Sequence, residues 1–212
     1  MEANSNYEFT NNWFDPHKEV WNQLLQQLTP QKILEIGSYE GKSTAFMIEH
    51  LANKHDIEIH CIDSWEGGVE HKEGGCVEAN MSDVETRFHH NINIAQSKSK
   101  FKASLQIHKG LSSKALPNLI AKDMNEYFDF IYIDGSHQAT DVLLDATLGF
   151  ELLRVGGVMA FDDYLWQEPL PGGTDLIRCP KISIDAFTNI YARKLKVLQA
   201  HLCQLYIRKT SN

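Results

Sequence analysis

The chain has 212 residues, 42% of them hydrophobic and 23% charged, with a formal net charge of −8. That length suits one domain, residues 1–212, whose core needs neither disulfides nor structural metal, and no apolar run approaches the roughly 20 residues of a membrane-spanning helix. The negative charge disfavours a nucleic-acid partner, because phosphate neutralisation needs clustered Lys and Arg and the densest run here is Lys98, Lys100 and Lys102.

The first residues, MEANSNYEFTNNW, lack the basic-then-apolar pattern of a signal peptide, so a cytoplasmic location is the default expectation. Within an N-terminal extension, residues 1–30, Trp13, Trp21 and the Leu24, Leu25, Leu28 stripe predict an amphipathic helix, packed on a sheet or over a site. Five short apolar runs then read as buried parallel strands at 32–37, 58–63, 104–110, 128–134 and 158–162. Helical patterns separate them at 42–55, 82–94, 112–121 and 140–153. Residues 195–209 hold two further strand-like runs with no room for a crossover helix, so they pair as a hairpin. The expected fold is α/β, a Rossmann-like, doubly wound, mostly parallel seven-stranded sheet with an antiparallel C-terminal edge strand. Two Gly- and Pro-bearing stretches, 65–82 and 167–181, follow strand ends on the ligand side and are candidate lids or acceptor loops. Cys61, Cys76, Cys179 and Cys203 are scattered without a C-x-x-C pair and read as reduced.

The most informative segment is LEIGSYEGKST, residues 34–44, running from a strand into a helix. A phosphate-binding loop needs four residues between its glycines, and Gly37 and Gly41 are separated by three. A dinucleotide fingerprint needs Gly at the position held by Tyr39. What remains, with Glu35 at the strand end, suits a cofactor with a sulfonium and an amino-acid tail. The segment resembles class I S-adenosylmethionine-dependent methyltransferases, among them small O-methyltransferases of the catechol and macrolide-sugar type, with later motifs in order over residues 30–165. The resemblance implies that Gly37, Ser38 and Gly41 line the methionyl part of S-adenosyl-L-methionine and that Ser43 reaches its carboxylate. A Cβ at Gly37 is expected to fill the space of that tail. Asp63, ending the second strand, suits the ribose hydroxyls. Leu111 and Ser112 fall where the family contacts adenine, although Ser112 equally suits a helix N-cap.

The fourth strand delivers Asp134 and the fifth delivers Asp162 and Asp163 to the same sheet edge. Three carboxylates crowded in a cleft repel unless protons or a cation compensate, and an oxygen-only set points to Mg²⁺, with Mn²⁺ or Ca²⁺ as alternatives. In the metal-dependent O-methyltransferases that the chain resembles, these positions hold the metal and the metal holds the acceptor. Asp134 also serves the cofactor side and the catalytic pair with His137. His137 stands where the catechol-type enzymes carry a lysine base; its ordinary pKa near 6.5 suits proton transfer near neutrality. The expected activity is methyl transfer to a hydroxyl of a small-molecule acceptor. A metal-free methyltransferase, a nicotinamide-dependent oxidoreductase, an inactive cofactor-binding module and a homo-oligomer stay open.

Overall fold

A computed structural model describes residues 6–170 and 172–212. In chain order the elements are α1 (Lys18–Leu28), β1 (Lys32–Ile36), α2 (Lys42–Leu51), β2 (Ile57–Asp63), α3 (Met81–Lys98), β3 (Ala103–Lys109), α4 (Ser112–Ile120), β4 (Phe128–Ile133), α5 (Ala139–Leu152), β5 (Leu153–Phe161), α6 (Pro180–Ile190), β6 (Leu195–Leu198) and β7 (Leu205–Lys209). The strands form one sheet in the order β3-β2-β1-β4-β5-β7-β6.

The central strands β1, β4 and β5 are apolar on both sides, and nearly every residue of β1 and β4 is buried. Two-sided burial requires cover on both faces. Trp21 and Leu25 of α1, Ile48 and Leu51 of α2, and Phe88 and Ile92 of α3 cover one face. Leu116 and Leu119 of α4, Val142 and Phe150 of α5, and Ile184 and Phe187 of α6 cover the other. The chain winds outward from β1 through β2 to β3, then crosses back to place β4 on the other side of β1. Where that order reverses, the loops after β1 and β4 diverge and leave a crevice at the carboxyl ends of the strands.

The C-terminal hairpin forms as expected, with β7 antiparallel to β5 and Met159 opposite Ile207. β7 lies one place in from the edge, and its hairpin partner β6 takes the edge itself. Helix α6 is an addition to the elements expected. Its Pro180 occupies the first helical position, where a missing N–H does no harm, and Ile184 and Phe187 place one apolar stripe on the core. The helical periodicity there is short, which hid it behind the preceding Gly and Pro residues.

One buried cation fastens the hairpin. Lys209 is 2% exposed, lies over the Phe150 ring, and donates from Nζ to the Phe150 and Leu153 carbonyls at 3.0 and 2.9 Å, where α5 ends. Lys209→Met keeps the apolar stem and leaves those carbonyls without their donor. Stability should fall by about 1–3 kcal/mol, read as a lower urea midpoint; an unchanged midpoint would mean that the carbonyls need no partner.

Candidate active site

The crevice is a cavity of about 670 Å³, within the range of small-molecule sites. Its floor is the turn after β1. Gly37 adopts φ +85° and Tyr39 φ +48°, both in the left-handed region. Asp63 at the end of β2 shapes this turn: its Oδ2 accepts from the backbone N–H groups of Ser38 and Tyr39 at 2.8 and 2.9 Å, and its Oδ1 from that of Trp65 at 2.7 Å. Gly37, Ser38, Ser43, Asp63, Leu111, Ser112 and Asp134 all line the cavity.

Two residues expected at the cofactor lie elsewhere. Glu35 is fully buried beneath the turn, accepting from the hydroxyls of Ser38 at 2.6 Å and Ser43 at 2.5 Å, and from that of Thr44. Burial drives its carboxyl pKa up, and these hydroxyls and the Cys61 thiol partly offset that. Ser43 thus stands on the cavity wall with its hydroxyl donated downward to Glu35. Gly41 is off the cavity wall as well; its φ is +76° and an added Cβ would meet the Phe88 and Ile92 side chains at 2.9 and 3.0 Å. The Gly37 Cβ would not enter the cavity either, but would strike the Asp134 backbone oxygen at 2.0 Å. The two glycines thus serve the packing of the turn.

At the other end, Asp134, Asp162 and Asp163 each offer an oxygen within 4.8 Å of the others. Parallel pairing of β4 and β5, with Ile133 beside Phe161, brings the three together. Tyr132, on β4 among apolar neighbours, sends its hydroxyl between them, to Asp134 at 3.0 Å and to Asp162 more closely. One hydroxyl has one proton to give, so bonds to both carboxyls need a further proton in the group. The electrostatics agree. Burial first, and then the neighbouring carboxylates, push Asp134 well above the ordinary range and raise Asp162. His137 donates or accepts at Nε2 with Asp163 at 2.8 Å, has Nδ1 3.4 Å from Glu70, and packs against Trp166 with ring centroids 4.0 Å apart. Burial alone would lower its pKa, but Asp163, Glu70 and Asp162 outweigh it and hold the imidazole above its ordinary value. A hard divalent cation suits such an oxygen set, as it would replace the extra protons.

The 65–82 stretch covers the cavity, contributing Gly67 to Lys72, Val77 and Met81. No described residue of 167–181 lines it. Trp13, Phe14 and His17 complete the wall from the N-terminal side. Their anchors were not legible beforehand: Glu40, 2% exposed, accepts from the Thr10 N–H and hydroxyl and from Arg87 Nε, while Lys42 donates to the Asn11 carbonyl and Asp15.

The family model for a methyltransferase domain matches residues 34–164, from β1 to just beyond β5. The chain belongs to the methyltransferase-domain family. Among solved structures, this methyltransferase domain is similar to an O-methyltransferase from Bacillus cereus in complex with SAH (19% identity, 92% of this chain and 81% of that one, TM-score 0.63). It is also similar to the O-methyltransferase TomG from Streptomyces achromogenes, involved in tomaymycin synthesis and in complex with SAM (17% identity, 92% and 80%, TM-score 0.63). No curated protein sequence matches it significantly. No helix among the described residues is long and apolar enough to cross a membrane.

The methyltransferase domain carries one further cavity residue, Asp145 on α5, which is 1% exposed and has no hydrogen-bond partner at Oδ1. Burial pushes its pKa from 3.8 up to about 7, eased by the Ser112 hydroxyl and reinforced by Asp141. The folded protein therefore holds this proton more tightly than the unfolded chain does, and stability falls as pH rises from about 4 to about 7. Asp145→Asn removes the penalty. It should raise stability at pH 8 by about 1–3 kcal/mol and leave it unchanged near pH 3. Melting curves at the two pH values decide this; equal shifts at both would sink it.

Proposed function

We propose that this chain transfers a methyl group from S-adenosylmethionine to a hydroxyl of a small molecule, with a divalent cation, Mg²⁺ by preference, at Asp134, Asp162 and Asp163. The observation that carries the reading is the pairing of two subsites in one cavity: the turn braced by Asp63, and the three-carboxylate cluster beside it. The similarity to O-methyltransferases in complex with SAH and SAM supports the cofactor. So does charge, since Asp63, Glu70, Asp141 and Asp163 place carboxylates along the lining, where a sulfonium would be favoured.

S-adenosylmethionine supplies an electrophilic methyl carbon, and the cation would polarise the acceptor oxygen and offset the negative field of its three ligands. The protein's own part is placement and proton transfer. Ser38 and Asp63 hold the cofactor end, and the 65–82 cover with Trp13 and Phe14 walls the cavity. His137 is the residue placed to take the hydroxyl proton, at Nε2 once an acceptor and cation draw Asp163 away from that nitrogen; the Glu70 carboxylate lies 3.4 Å from Nδ1 and favours the charged ring that results. Asp134, between the two subsites, keeps its carboxyl aligned through Tyr132.

A metal-free methyltransferase is the second reading. It is favoured by one observation, that Tyr132 and His137 already contact all three carboxylates. Thermal shift with S-adenosylmethionine and with NAD tests the cofactor; stabilisation by the first alone is expected, and stabilisation by NAD alone would point to an oxidoreductase. A panel of hydroxyl acceptors, with and without chelator, then tests the reaction and the metal.

A further inference from the structure

Away from the carboxylate cluster, two histidines are bonded to each other across the outermost strand pair. Strand β3 is an edge, paired with β2 alone, and the loop after it, residues 110–113, lines the cavity. His60 of β2 is 5% exposed and edge-on to the Phe128 ring. Its Nε2 lies 2.7 Å from Glu58 Oε1, and its Nδ1 lies 3.0 Å from Nε2 of the half-buried His108 on β3. Tyr127 donates to the same Glu58 carboxylate at 3.0 Å, and the Lys32 Nζ of β1 sits over the Tyr127 ring. Lys122, just beyond α4, is the other charge acting on His108.

Proton counting limits what this chain of bonds can hold. A carboxylate only accepts, so His60 Nε2 carries a hydrogen. With both rings neutral, His60 Nδ1 offers a lone pair and His108 donates to it. One added proton on His60 reverses that bond, which then runs from His60 Nδ1 to a lone pair on His108, and Glu58 balances the charge. A second added proton sets N–H against N–H and two like charges 3.0 Å apart, and the bond is lost. Burial first, and then His60 and Lys122, hold the His108 imidazole below its ordinary pKa of 6.5. The unfolded chain therefore takes that proton more readily, so this contribution to stability is complete above about pH 6.5 and falls as the pH drops below it.

We propose that His60 and His108 form a proton-operated latch on the edge of the sheet, closed while the pair holds at most one added proton and opened by the second, which weakens the hold on β3 and loosens the 110–113 loop at the cavity. His108 is the ring that swings out, since it is the more exposed of the two and His60 is held by Glu58 and packed on Phe128. Two residues beyond His108, the Gly110 N–H donates to the Asp63 carbonyl at 2.8 Å and ties the start of the cavity loop to β2. An amide at position 108 can donate to His60 Nδ1 and cannot charge, so His108→Gln should keep the latch closed at every pH.

The test is amide hydrogen exchange of the peptide covering residues 103–113, from about pH 7.5 down to about pH 5, corrected for the intrinsic rate at each pH and referred to the peptide of β4 so that changes in global stability cancel. In wild type the relative protection of 103–113 should fall by about tenfold or more across that range. In His108→Gln it should stay flat. Wild-type protection that holds steady, or an equal fall in wild type and variant, overturns the proposal. Should the variant fail to fold, the imidazole Cε1 proton signals of wild type decide it: titration of the two rings in coupled steps, with the β3 amide signals moving at the second, supports the latch, and two independent titrations that leave β3 unmoved overturn it.

Discussion

Asp162→Asn is expected to slow methyl transfer by about a hundredfold or more while S-adenosylmethionine affinity stays within about threefold of wild type. The separation follows from geometry. Asp162 contacts Tyr132, the Asp163 N–H and, at 3.9 Å, His17, none of which belongs to the turn braced by Asp63. The substitution removes one negative charge from a buried group whose members raise one another's pKa, and the amide oxygen can still accept from Tyr132. Without a cation the variant should therefore melt at or above the wild-type temperature, because repulsion and desolvation are relieved. With excess Mg²⁺ the order should reverse, since only wild type gains binding energy from the ion. Paired melting and activity measurements in EDTA and in Mg²⁺ decide it. Wild-type activity that survives EDTA undiminished would remove the metal, leaving Asp134 and His137 to bind and deprotonate the acceptor with Tyr132 sharing their proton.

Strand positions were readable in the sequence wherever burial on both faces forces a mostly apolar run, as in Ile33–Ile36 and Phe128–Ile133, each interrupted by one acid. The acidic trio was readable for a related reason, because parallel strands that end at one edge bring their next residues together. Contacts made by side chains distant in sequence were not. Glu40 and Thr10 are 30 positions apart, and nothing local marks Glu40 as buried and bonded. Tyr132 alternates with apolar neighbours and so looked like packing, yet its ring is edge-on to Trp21 while its hydroxyl reaches the carboxylates. Asp145 sits in an ordinary helical stretch, and it is the packing of α5 in the folded domain that removes it from water. Glycine was the hardest to interpret. Gly37 and Gly41 announce a tight turn, but which wall each one faces depends on the neighbouring strand and helix.

Gly37→Ala gives that distinction a measurable form. At φ +85° an alanine is strained by about 1–2 kcal/mol before any contact is counted. Its Cβ would also lie 2.0 Å from the Asp134 oxygen and 2.6 Å from the Gly135 Cα, both backbone atoms with no rotamer to move. The Asp134 N–H is bonded to the Ile36 carbonyl at 2.7 Å and the Gly37 N–H to Ile62 at 2.8 Å, so relief requires β1 and β4 to separate at the site itself. A total loss of about 3–5 kcal/mol is expected, or about 6–20 °C in melting temperature for a chain of this size. Cofactor binding and methyl transfer should fail together, because the displaced segment carries Asp134. Gly135→Ala is the matched control: its added Cβ would meet only the Ile36 Cγ2 atom at 3.3 Å and more distant backbone, and it should melt near wild type. If Gly37→Ala instead melts like wild type and loses only cofactor affinity, the glycine faces the ligand after all, and the packing role assigned to it here is wrong.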